Sequence, residues 1–328
     1  MVGGVLKLMT AEIHDIAATR VAVLMGGRSA EREVSLNTGQ QVAEALTSIG
    51  MRPETIDAGE PDFVRRIEES DADVCFIALH GRFGEDGTVQ GMLELLGMPY
   101  VGSGVLASAL AMDKVMSKLV FERDGIPTPP WLRVVAGQDW SAEEITRVLG
   151  PKTVVKPANE GSSVGMTIVH TPAELPAGIE LALSYDDSVV VERFVAGVEV
   201  TVGVLGNDDL TALPTLEIVP EHEFYDYESK YLPGMSSHII PARVPEAVAR
   251  ECQRLAVEAH KALGCRGMSR SDTIVAEDGA VYLLEVNTIP GMTSTSLLPD
   301  AARAAGIEFP ELCRMLVSFA LEGRERGR

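Results

Sequence analysis

The sequence predicts a protein of mixed α/β and α+β class, with an open parallel sheet first and antiparallel strands later in the chain. An apolar strand, Arg20–Met25, runs into two glycines and a helical pattern that continues to Leu46. This is the strand, turn and helix order of open α/β sheets. Two later stretches, 153–170 and 270–287, each contain two apolar strands joined by a glycine-containing connection. Such a pattern is typical of antiparallel hairpins.

The composition excludes several classes of protein. The 328 residues are 46% hydrophobic, and the net charge is -20 with a pI near 4.7. An acidic protein lacks the basic surface that nucleic-acid binding requires, so we expect no nucleic-acid partner. No apolar run reaches the roughly 18 residues of a membrane span, so we expect no membrane partner. Residues 1–19 show no signal-peptide pattern and are predicted to form a loose N-terminal extension.

The cysteines predict a cytoplasmic location. They are scattered, with no CxxC pair and no zinc spacing, at Cys75, Cys252, Cys265 and Cys313. Scattered cysteines of this kind are typical of reduced thiols in a cytosol. We therefore expect neither disulfides nor a zinc site.

Polar residues follow the predicted N-terminal strands. Glu31 stands at the start of the first helix, where it could bind a ligand or simply complement the helix dipole. A second buried strand, 73–79, stops at His80 in a loop rich in glycine and charge. The loop has the composition of a binding loop, although a single histidine is as often structural as functional.

The middle of the chain contains candidate phosphate-binding groups. A helix is predicted from Gly104 to about Arg123, and it includes Lys114. A strand ends on Lys156 and is followed by a glycine and serine loop, 161–165. Backbone N–H groups and hydroxyls of such a loop could close over phosphates, and lysine would offset their charge. The alternative is an ordinary hairpin tip, because no Walker motif is present.

Two further stretches could contribute to a site. The strand 188–195 turns polar at its end, where carboxylates flank a main-chain segment. Such a segment could bind the edge of an adenine and a ribose, or it could be an ordinary corner of a sheet. The segment 221–234 is aromatic and charged without a consistent period, which is typical of a lid or binding loop. Helices are predicted at 246–263 and from about Glu308 to the charged tail.

The stretch 281–291 predicts a divalent-metal site. Strand alternation places Glu285 and Asn287 on one face, with Leu284 and Val286 pointing into the core. A turn at 277–279 would bring Asp272 close to Glu285. Two carboxylates and an amide oxygen suit Mg²⁺ that is held partly by phosphate oxygens. The alternative is an acidic hairpin exposed to water.

With these motifs in order, the chain resembles the D-alanine–D-alanine ligase family of the ATP-grasp superfamily. The resemblance extends from Val21 to the C-terminal helix. The motifs that carry it are Gly26–Ser35, Ala78–Gly81, Glu85–Met92, Met112–Lys114, Glu160–Gly165, Phe224–Tyr231 and Glu285–Ser294.

The resemblance implies a Rossmann-like, pre-ATP-grasp domain followed by a two-lobed ATP-grasp fold. Its expected divisions are the extension 1–19, an N-terminal α/β substrate-binding domain at 20–102, a central subdomain at 103–190, and a C-terminal subdomain at 191–328 with the metal site and a lid loop at 221–238. A homodimer is also implied.

The resemblance also assigns roles to residues. ATP is expected to contact Lys114, Lys156, Gly161, Ser162, Ser163, Glu192, Arg193, Val195 and Glu199. Two Mg²⁺ ions, for which Mn²⁺ can substitute, would be held by Asp272, Glu285 and Asn287. The catalytic groups would be Glu31, Ser162, Tyr231, Arg270 and Gly291. The substrate D-alanines would be bound by His80, Tyr225, Lys230 and Ser296.

The implied activity is ATP-dependent joining of two D-alanines through an acyl phosphate, for peptidoglycan synthesis. The tyrosine at position 231 favours an amine as second nucleophile, because relatives that use D-lactate lack it. Arg193 stands where family members often have lysine, and Ile289 where serine is frequent. The alternatives are an ATP-grasp ligase with another second substrate, such as D-lactate, and a non-catalytic nucleotide sensor, which would not need Arg270.

Overall fold

The computed structural model describes residues 18–161, 164–220 and 236–326. Its first sheet is parallel, with strand order β2-β1-β3-β4. The elements of this part are β1 Arg20–Met25, α1 Arg32–Ser48, β2 Arg52–Asp57, α2 Phe63–Glu69, β3 Val74–Ile77, α3 Thr88–Leu95 and β4 Tyr100–Val101. The predicted open parallel sheet is therefore confirmed. Its central strands read as unbroken apolar runs because helices cover a parallel sheet on both faces.

An ion pair fixes the turn between β1 and α1. Gly26 and Gly27 both have a left-handed backbone, with φ of 74° and 80°, a conformation that glycine adopts without steric cost. Arg32 donates to both carboxylate oxygens of Asp57, at 2.8 and 2.6 Å, and to the carbonyl of Gly27 at 3.0 Å. Asp57, at the end of the adjacent strand β2, thus stabilises the turn that places Glu31 at the start of α1.

The predicted single helix up to Arg123 is wrong, because the chain forms two helices there. They are α4 Val105–Met112 and α5 Lys114–Arg123. Asp113 between them is extended, and its carboxylate accepts hydrogen bonds from the N–H groups of Val115 at 2.9 Å and Met116 at 3.0 Å. Aspartate competes well for these otherwise unpaired N–H groups, so it starts a new helix rather than continuing the old one.

The second sheet is antiparallel, with strand order β5-β8-β6-β7. Its elements are β5 Trp131–Val135, α6 Ala142–Leu149, β6 Thr153–Pro157, β7 Thr167–Val169, α7 Leu175–Leu183 and β8 Ser188–Arg193. The helices α6 and α7 pack on this sheet through residues such as Ile145 and Ile179, which are buried in one apolar cluster with its strands. The expected division at residue 190 falls inside β8.

The third sheet has the strand order β12-β11-β9-β13-β14, with β10 paired to β9. The strands are β9 Gly197–Gly206, β10 Thr211–Ala212, β11 Leu216–Pro220, β12 Ser236–Ile239, β13 Gly267–Ala276 and β14 Val281–Asn287. The predicted helices are confirmed as α8 Glu246–Leu263 and α10 Phe309–Arg326, and α9 Leu297–Ala304 was not predicted. Of the expected lid loop, residues 236–238 belong to β12 because they pair with β11, and 221–235 lie outside the described residues.

The strand β13 is paired on both sides. It runs antiparallel to β9 from Gly267 opposite Gly206 to Ala276 opposite Gly197, and it forms the predicted hairpin with β14. Backbones approach closely here, since a Cβ atom at Gly197 would lie 2.1 Å from the carbonyl oxygen of Val275. Glycine at this position therefore permits the ladder to continue to the hairpin turn.

One detail of the hairpin differs from the prediction. Asp272 faces Glu285, but the next residue, Thr273, faces Leu283, so a β-bulge leaves Leu284 without an opposite residue. A bulge shifts the alternation of side chains by one position. Leu283 and Val286 are consequently buried, whereas Leu284 is half-buried and lines a cavity. The prediction that Leu284 points into the core is wrong, and that for Val286 is confirmed.

The core connects the first and third sheets. One apolar cluster combines Val23 and Phe76 of the parallel sheet with Met268 of β13, Leu298 of α9 and Leu316 of α10. The side chains from both sheets therefore share one buried surface, and the two sheets cannot move apart without exposing it. Within the described residues, no helix combines the length and the apolar character that crossing a bilayer requires.

The Arg32–Asp57 pair predicts a pH-dependent stability. Hydrogen bonding from Arg32, only partly opposed by burial, lowers the pKa of Asp57 to about 2, below the unfolded value of about 3.9. Because the folded pKa is depressed, this stabilisation is present in full above the unfolded pKa and is lost as pH falls from about 4 through 2. We expect Asp57→Asn to lower the urea midpoint at pH 6, and the difference from wild type to shrink as the pH falls through that window.

The matched control is Asp71→Asn, because the Asp71 side chain is 89% exposed and pairs only loosely with Arg20. Exposed pairs of this kind contribute little, so this variant should follow the wild type at each pH. Equal urea midpoints for Asp57→Asn and wild type at pH 6 would contradict the role of the pair.

Candidate active site

A cavity of about 1180 Å³ is lined by residues of α1, of the loop after β3, and of the second and third sheets. It brings together the predicted site residues Glu31, His80, Lys114, Lys156, Gly161, Glu192, Arg193, Val195, Glu199, Arg270, Asp272, Glu285, Asn287, Gly291 and Ser296. Five predicted residues lie outside the described ranges, namely Ser162, Ser163, Tyr225, Lys230 and Tyr231. Candidate groups more than 250 residues apart in sequence thus line the same cavity.

The β13–β14 hairpin forms an acidic wall of the cavity. Asp272 lies opposite Glu285, and Arg270 lies opposite Asn287. Arg270 donates from Nε and Nη2 to the two oxygens of Asp272, at 2.9 and 2.8 Å, and Thr201 on β9 donates to Oδ1 at 2.6 Å. Bidentate pairing of this kind fixes the planes of both groups. The predicted proximity of Asp272 and Glu285 is confirmed.

The side-chain oxygens on this hairpin suit the binding of a hard cation that has only some of its ligands from the protein. Asp272 and Glu285 supply carboxylate oxygens, and the Asn287 amide oxygen accepts a hydrogen bond from the N–H of Ile289 at 3.0 Å. A carboxylate has about four acceptor positions, so Asp272 can still bind a cation beside Arg270. In the described ranges no three His, Cys, Asp or Glu side chains group as metal ligands. Two carboxylates and an amide therefore fit Mg²⁺ completed by phosphate oxygens better than zinc.

A buried carboxylate between two lysines lies at the end of β8. Glu192 is 2% exposed, with Oε2 at 2.8 Å from Lys156 Nζ and Oε1 at 2.6 Å from Lys118 Nζ. Burial favours the neutral acid, but the two ammonium groups outweigh it and lower the pKa of Glu192 to about 2. The carboxylate is therefore ionised at neutral pH, and one of its two cations, Lys156, lines the cavity.

The described ends of the loop after β6 lie close against other elements. Lys114 Nζ donates to the carbonyl of Glu160 at 2.6 Å. The N–H of Asn159 donates to Asp186 at 2.7 Å. At the far end Gly165 has φ of 68°, and a Cβ atom there would lie 2.6 Å from the ring of Tyr185. Glu160 and Asn159 are thus held by α5 and by the segment before β8 respectively.

Glu31 lies where the first sheet meets this loop. Its side chain is 9% exposed, and its N–H donates to Ser29 Oγ at 3.2 Å, which itself donates to the carbonyl of His80 at 2.8 Å. Cβ atoms built at Gly81 and Gly161 would lie 2.6 and 3.6 Å from Glu31 Oε2. The carboxylate therefore sits between the two glycine loops, close to Gly81 and Gly161.

His80 is buried and oriented by two side chains. Its Nδ1 lies 3.2 Å from Glu85 Oε1, and its Nε2 lies 3.3 Å from Thr38 Oγ1. Glu85 also accepts from the N–H of Gly81 at 3.1 Å. The sequence left a structural histidine as an alternative, but its ring lines the same cavity as Glu31.

The loop 291–296 is a compact turn that contacts α1. Ser296 Oγ lies 2.7 Å from Thr293 Oγ1, and a Cβ atom at Gly291 would lie 2.9 Å from the same Oγ. The N–H of Ser294 donates to Gln41 of α1 at 2.8 Å. Gly291 and Ser296 are consequently held next to each other, in a loop tied to α1.

The predicted residues at 193–199 line one side of the cavity. Val195 and Glu199 are half-buried and line the cavity. The guanidinium of Arg193 donates to the carbonyls of Leu149 and Val148 at the end of α6, each at 3.2 Å. Cations are stabilised at helix C-termini, so this arginine is already paired by the protein.

Three groups of the site were not predicted. They are Lys118, Thr201 and Gln41, which hold Glu192, Asp272 and the loop 291–296 respectively. Lys118 lies one helical turn after Lys114, a spacing that places both on the same helix face and could have suggested it. Thr201 and Gln41 make contacts across the fold that leave no signal in the local sequence.

The comparisons with known proteins agree with this geometry. Residues 57–103 match the model described as D-ala D-ala ligase N-terminus, and residues 120–318 match D-ala D-ala ligase C-terminus. The D-alanine–D-alanine ligase of Pelotomaculum thermopropionicum is 52% identical over 92% of this chain and 97% of its own length. That of Desulforamulus reducens is 49% identical over 93% and 99%.

Solved structures of D-alanine–D-alanine ligases are also similar to this chain. The ligase from Bacillus anthracis complexed with ATP has a TM-score of 0.83 and 35% identity, covering 95% of this chain and all of that one. The ligase from Coxiella burnetii has a TM-score of 0.81 and 27% identity, covering 95% and 96%. Both the predicted ATP-grasp fold and the resemblance are confirmed. This chain belongs to the D-alanine–D-alanine ligase family.

Proposed function

We propose that the protein joins two D-alanines into D-alanyl-D-alanine, with ATP as the energy source, for peptidoglycan and cell-wall synthesis. The observation that carries this is the pairing of Asp272 with Glu285 and of Arg270 with Asn287 across one hairpin, in the same cavity as Lys114 and Lys156. That cavity supplies anionic groups for a cation and cationic groups for phosphates, which an ATP-dependent ligation needs at one point.

In the first step, a carboxylate oxygen of the first D-alanine attacks the γ-phosphorus of ATP, and ADP leaves. Lys114 and Lys156 bind the phosphates and offset their charge, and the backbone of the loop at Gly161 covers them. Glu31 binds the ammonium of the first D-alanine, together with Ser162 and Tyr231, and His80 lies beside it. Because the acid becomes an acyl phosphate, it gains a good leaving group.

Asp272, Glu285 and Asn287 would hold Mg²⁺, as two ions that Mn²⁺ can replace. Bound there, the ions would neutralise charge on the transferring phosphoryl group. The protein's own part is to keep these oxygens in register, which the β13–β14 ladder does.

In the second step, the amine of the second D-alanine attacks the acyl carbon, and phosphate leaves. Arg270 and the N–H of Gly291 stabilise the oxyanion; loss of one such donor costs roughly 3 kcal/mol in comparable sites. Ser296 and Lys230 bind the second carboxylate. Acyl phosphates hydrolyse readily, so the segment 221–238, with Tyr225 and Tyr231, is assigned the role of excluding water.

The residues at 192–199 would bind the nucleobase and the ribose of ATP. Glu192 would accept a hydrogen bond from the adenine amine, the backbone at Val195 would meet the ring edge, and Glu199 would bind the ribose hydroxyls. Arg193 and Ser163 complete the expected ATP contacts.

The protein is further proposed to be a cytoplasmic homodimer with domains at 20–102, 103–190 and 191–328. Support for self-association comes from apolar side chains exposed on α3, α4 and α5, with Leu95 91% and Leu106 70% exposed. Exposed apolar clusters of this kind mark interaction surfaces. Support for the cytoplasm comes from cysteines that are all buried and unpaired and from dependence on ATP.

The test of the function is ADP release by the purified protein with Mg-ATP. Three mixtures are compared, namely D-alanine, L-alanine, and D-alanine with D-lactate, and the product is identified by mass. We expect release only where D-alanine is present, with the dipeptide as product at neutral pH. Equal release with L-alanine alone, or a depsipeptide as the main product, would contradict the proposal.

The metal role predicts the effect of Glu285→Gln. Because the amide cannot supply anionic charge, we expect turnover to fall by about a hundredfold or more, beyond the usual loss for residues that only orient a ligand. Titration of Mn²⁺ in the presence of ADP should show correspondingly weaker binding.

The matched control is Glu277→Gln, an exposed glutamate in the turn of the same hairpin. It should keep wild-type turnover and Mn²⁺ affinity. A Glu285→Gln protein that melts like the wild type and retains full turnover would exclude the metal role.

A further inference from the structure

Lys118 is a fully buried cation within the described fold. Its side chain is 1% exposed and lies on α5, where Nζ contacts Glu192 Oε1 at 2.6 Å and donates to Thr128 Oγ1 at 2.6 Å. Burial lowers the pKa of this lysine, and the charge of Glu192 partly offsets that effect. Lysine is rarely buried in a protein interior unless it is paired. The ion pair with Glu192 therefore accounts for the buried position of Lys118.

The two lysines of Glu192 differ in what they face. Lys156 lines the cavity, whereas Lys118 lies behind Glu192, away from the described lining. Lys156 contacts Oε2 and Lys118 contacts Oε1, so each oxygen has its own cation. A ligand in the cavity can therefore compete for Lys156, but it cannot reach Lys118.

This difference matters when an anion enters. If phosphate oxygens draw Lys156 away, a carboxylate with no second cation would be left as an unpaired buried charge, which is strongly unfavourable. With Lys118 in place the carboxylate keeps a partner. Lys156 can then bind the phosphate without the unfavourable free energy of leaving Glu192 as an unpaired buried charge.

We propose that Lys118 is a positioning residue for nucleotide binding: it is the permanent counter-ion that keeps Glu192 ionised and aimed at the nucleobase while Lys156 engages phosphate. This inference rests on the proposed ATP site and assigns a residue that never touches the nucleotide. It also gives Lys118 a role in base selection. An ionised carboxylate only accepts hydrogen bonds, so it favours the amine of adenine over the carbonyl oxygen of hypoxanthine.

The test measures Mg-ADP and Mg-IDP binding by calorimetry, without D-alanine, for wild type and Lys118→Met. Methionine has nearly the same length and volume, and Lys156 still pairs Glu192, so the variant should fold; a thermal melt checks this. We expect ADP to bind at least about tenfold more weakly, the size of one charge-assisted hydrogen bond. The preference for ADP over IDP should fall by about fivefold or more, because IDP never had the contact.

A purely structural lysine would weaken both nucleotides equally and leave the ratio unchanged, and this outcome overturns the proposal. So does an ADP affinity within about twofold of wild type. The matched control is Lys261→Met, an exposed lysine on α8, which should bind both nucleotides like the wild type.

A double-mutant cycle tests whether Lys118 acts through Glu192. In a Glu192→Gln protein there is no anion for Lys118 to hold, so adding Lys118→Met should change the ADP to IDP ratio by less than about twofold. A ratio that changes as much there as in the wild type overturns the proposal. Failure of D-alanine-dependent ADP release by the wild type is a separate result, since these titrations contain no amino acid.

Discussion

The whole site depends on the ladder in which β13 pairs with β9 on one side and with β14 on the other. This ladder sets Asp272 against both Glu285 and Thr201, and it sets Arg270 opposite Asn287. Register in a sheet is strongly specified where one face is buried, because a shift of one residue would exchange the two faces. Apolar residues on the other face of these strands pack against α8. Apolar packing on one face of the sheet thus fixes the positions of the site residues on the other face.

A second constraint is the placement of charge around the cavity. Buried ions are unfavourable unless each has a partner, and the site satisfies this before any ligand is bound. Arg270 pairs with Asp272, and Glu192 has a lysine on each oxygen. Ligand binding then exchanges the partners of side chains that are already buried and paired. Such an arrangement costs little reorganisation, which is the condition under which electrostatic stabilisation of a transition state is most effective.

Local patterns in the sequence predicted much of the fold and of the site. The parallel sheet, the helix 246–263 and the proximity of Asp272 to Glu285 follow from periodicity and turn residues, and the structure agrees. The break at Asp113 and the bulge at Leu284 were not predicted, because a capping aspartate and an extra strand residue resemble ordinary members of their elements. Long-range contacts, such as that of Gln41 with the loop 291–296, depend on how sheets pack, and no local pattern encodes them.

The most direct test of the account follows the oxygen atoms of the substrate. If the carboxylate of D-alanine attacks ATP, one of its oxygens must leave with phosphate when the amine displaces it. D-Alanine labelled with ¹⁸O in the carboxylate is incubated with Mg-ATP and the purified protein, and the released phosphate is analysed by mass spectrometry. The account predicts one ¹⁸O atom in phosphate for each dipeptide formed. Unlabelled phosphate alongside labelled dipeptide would contradict the acyl-phosphate route.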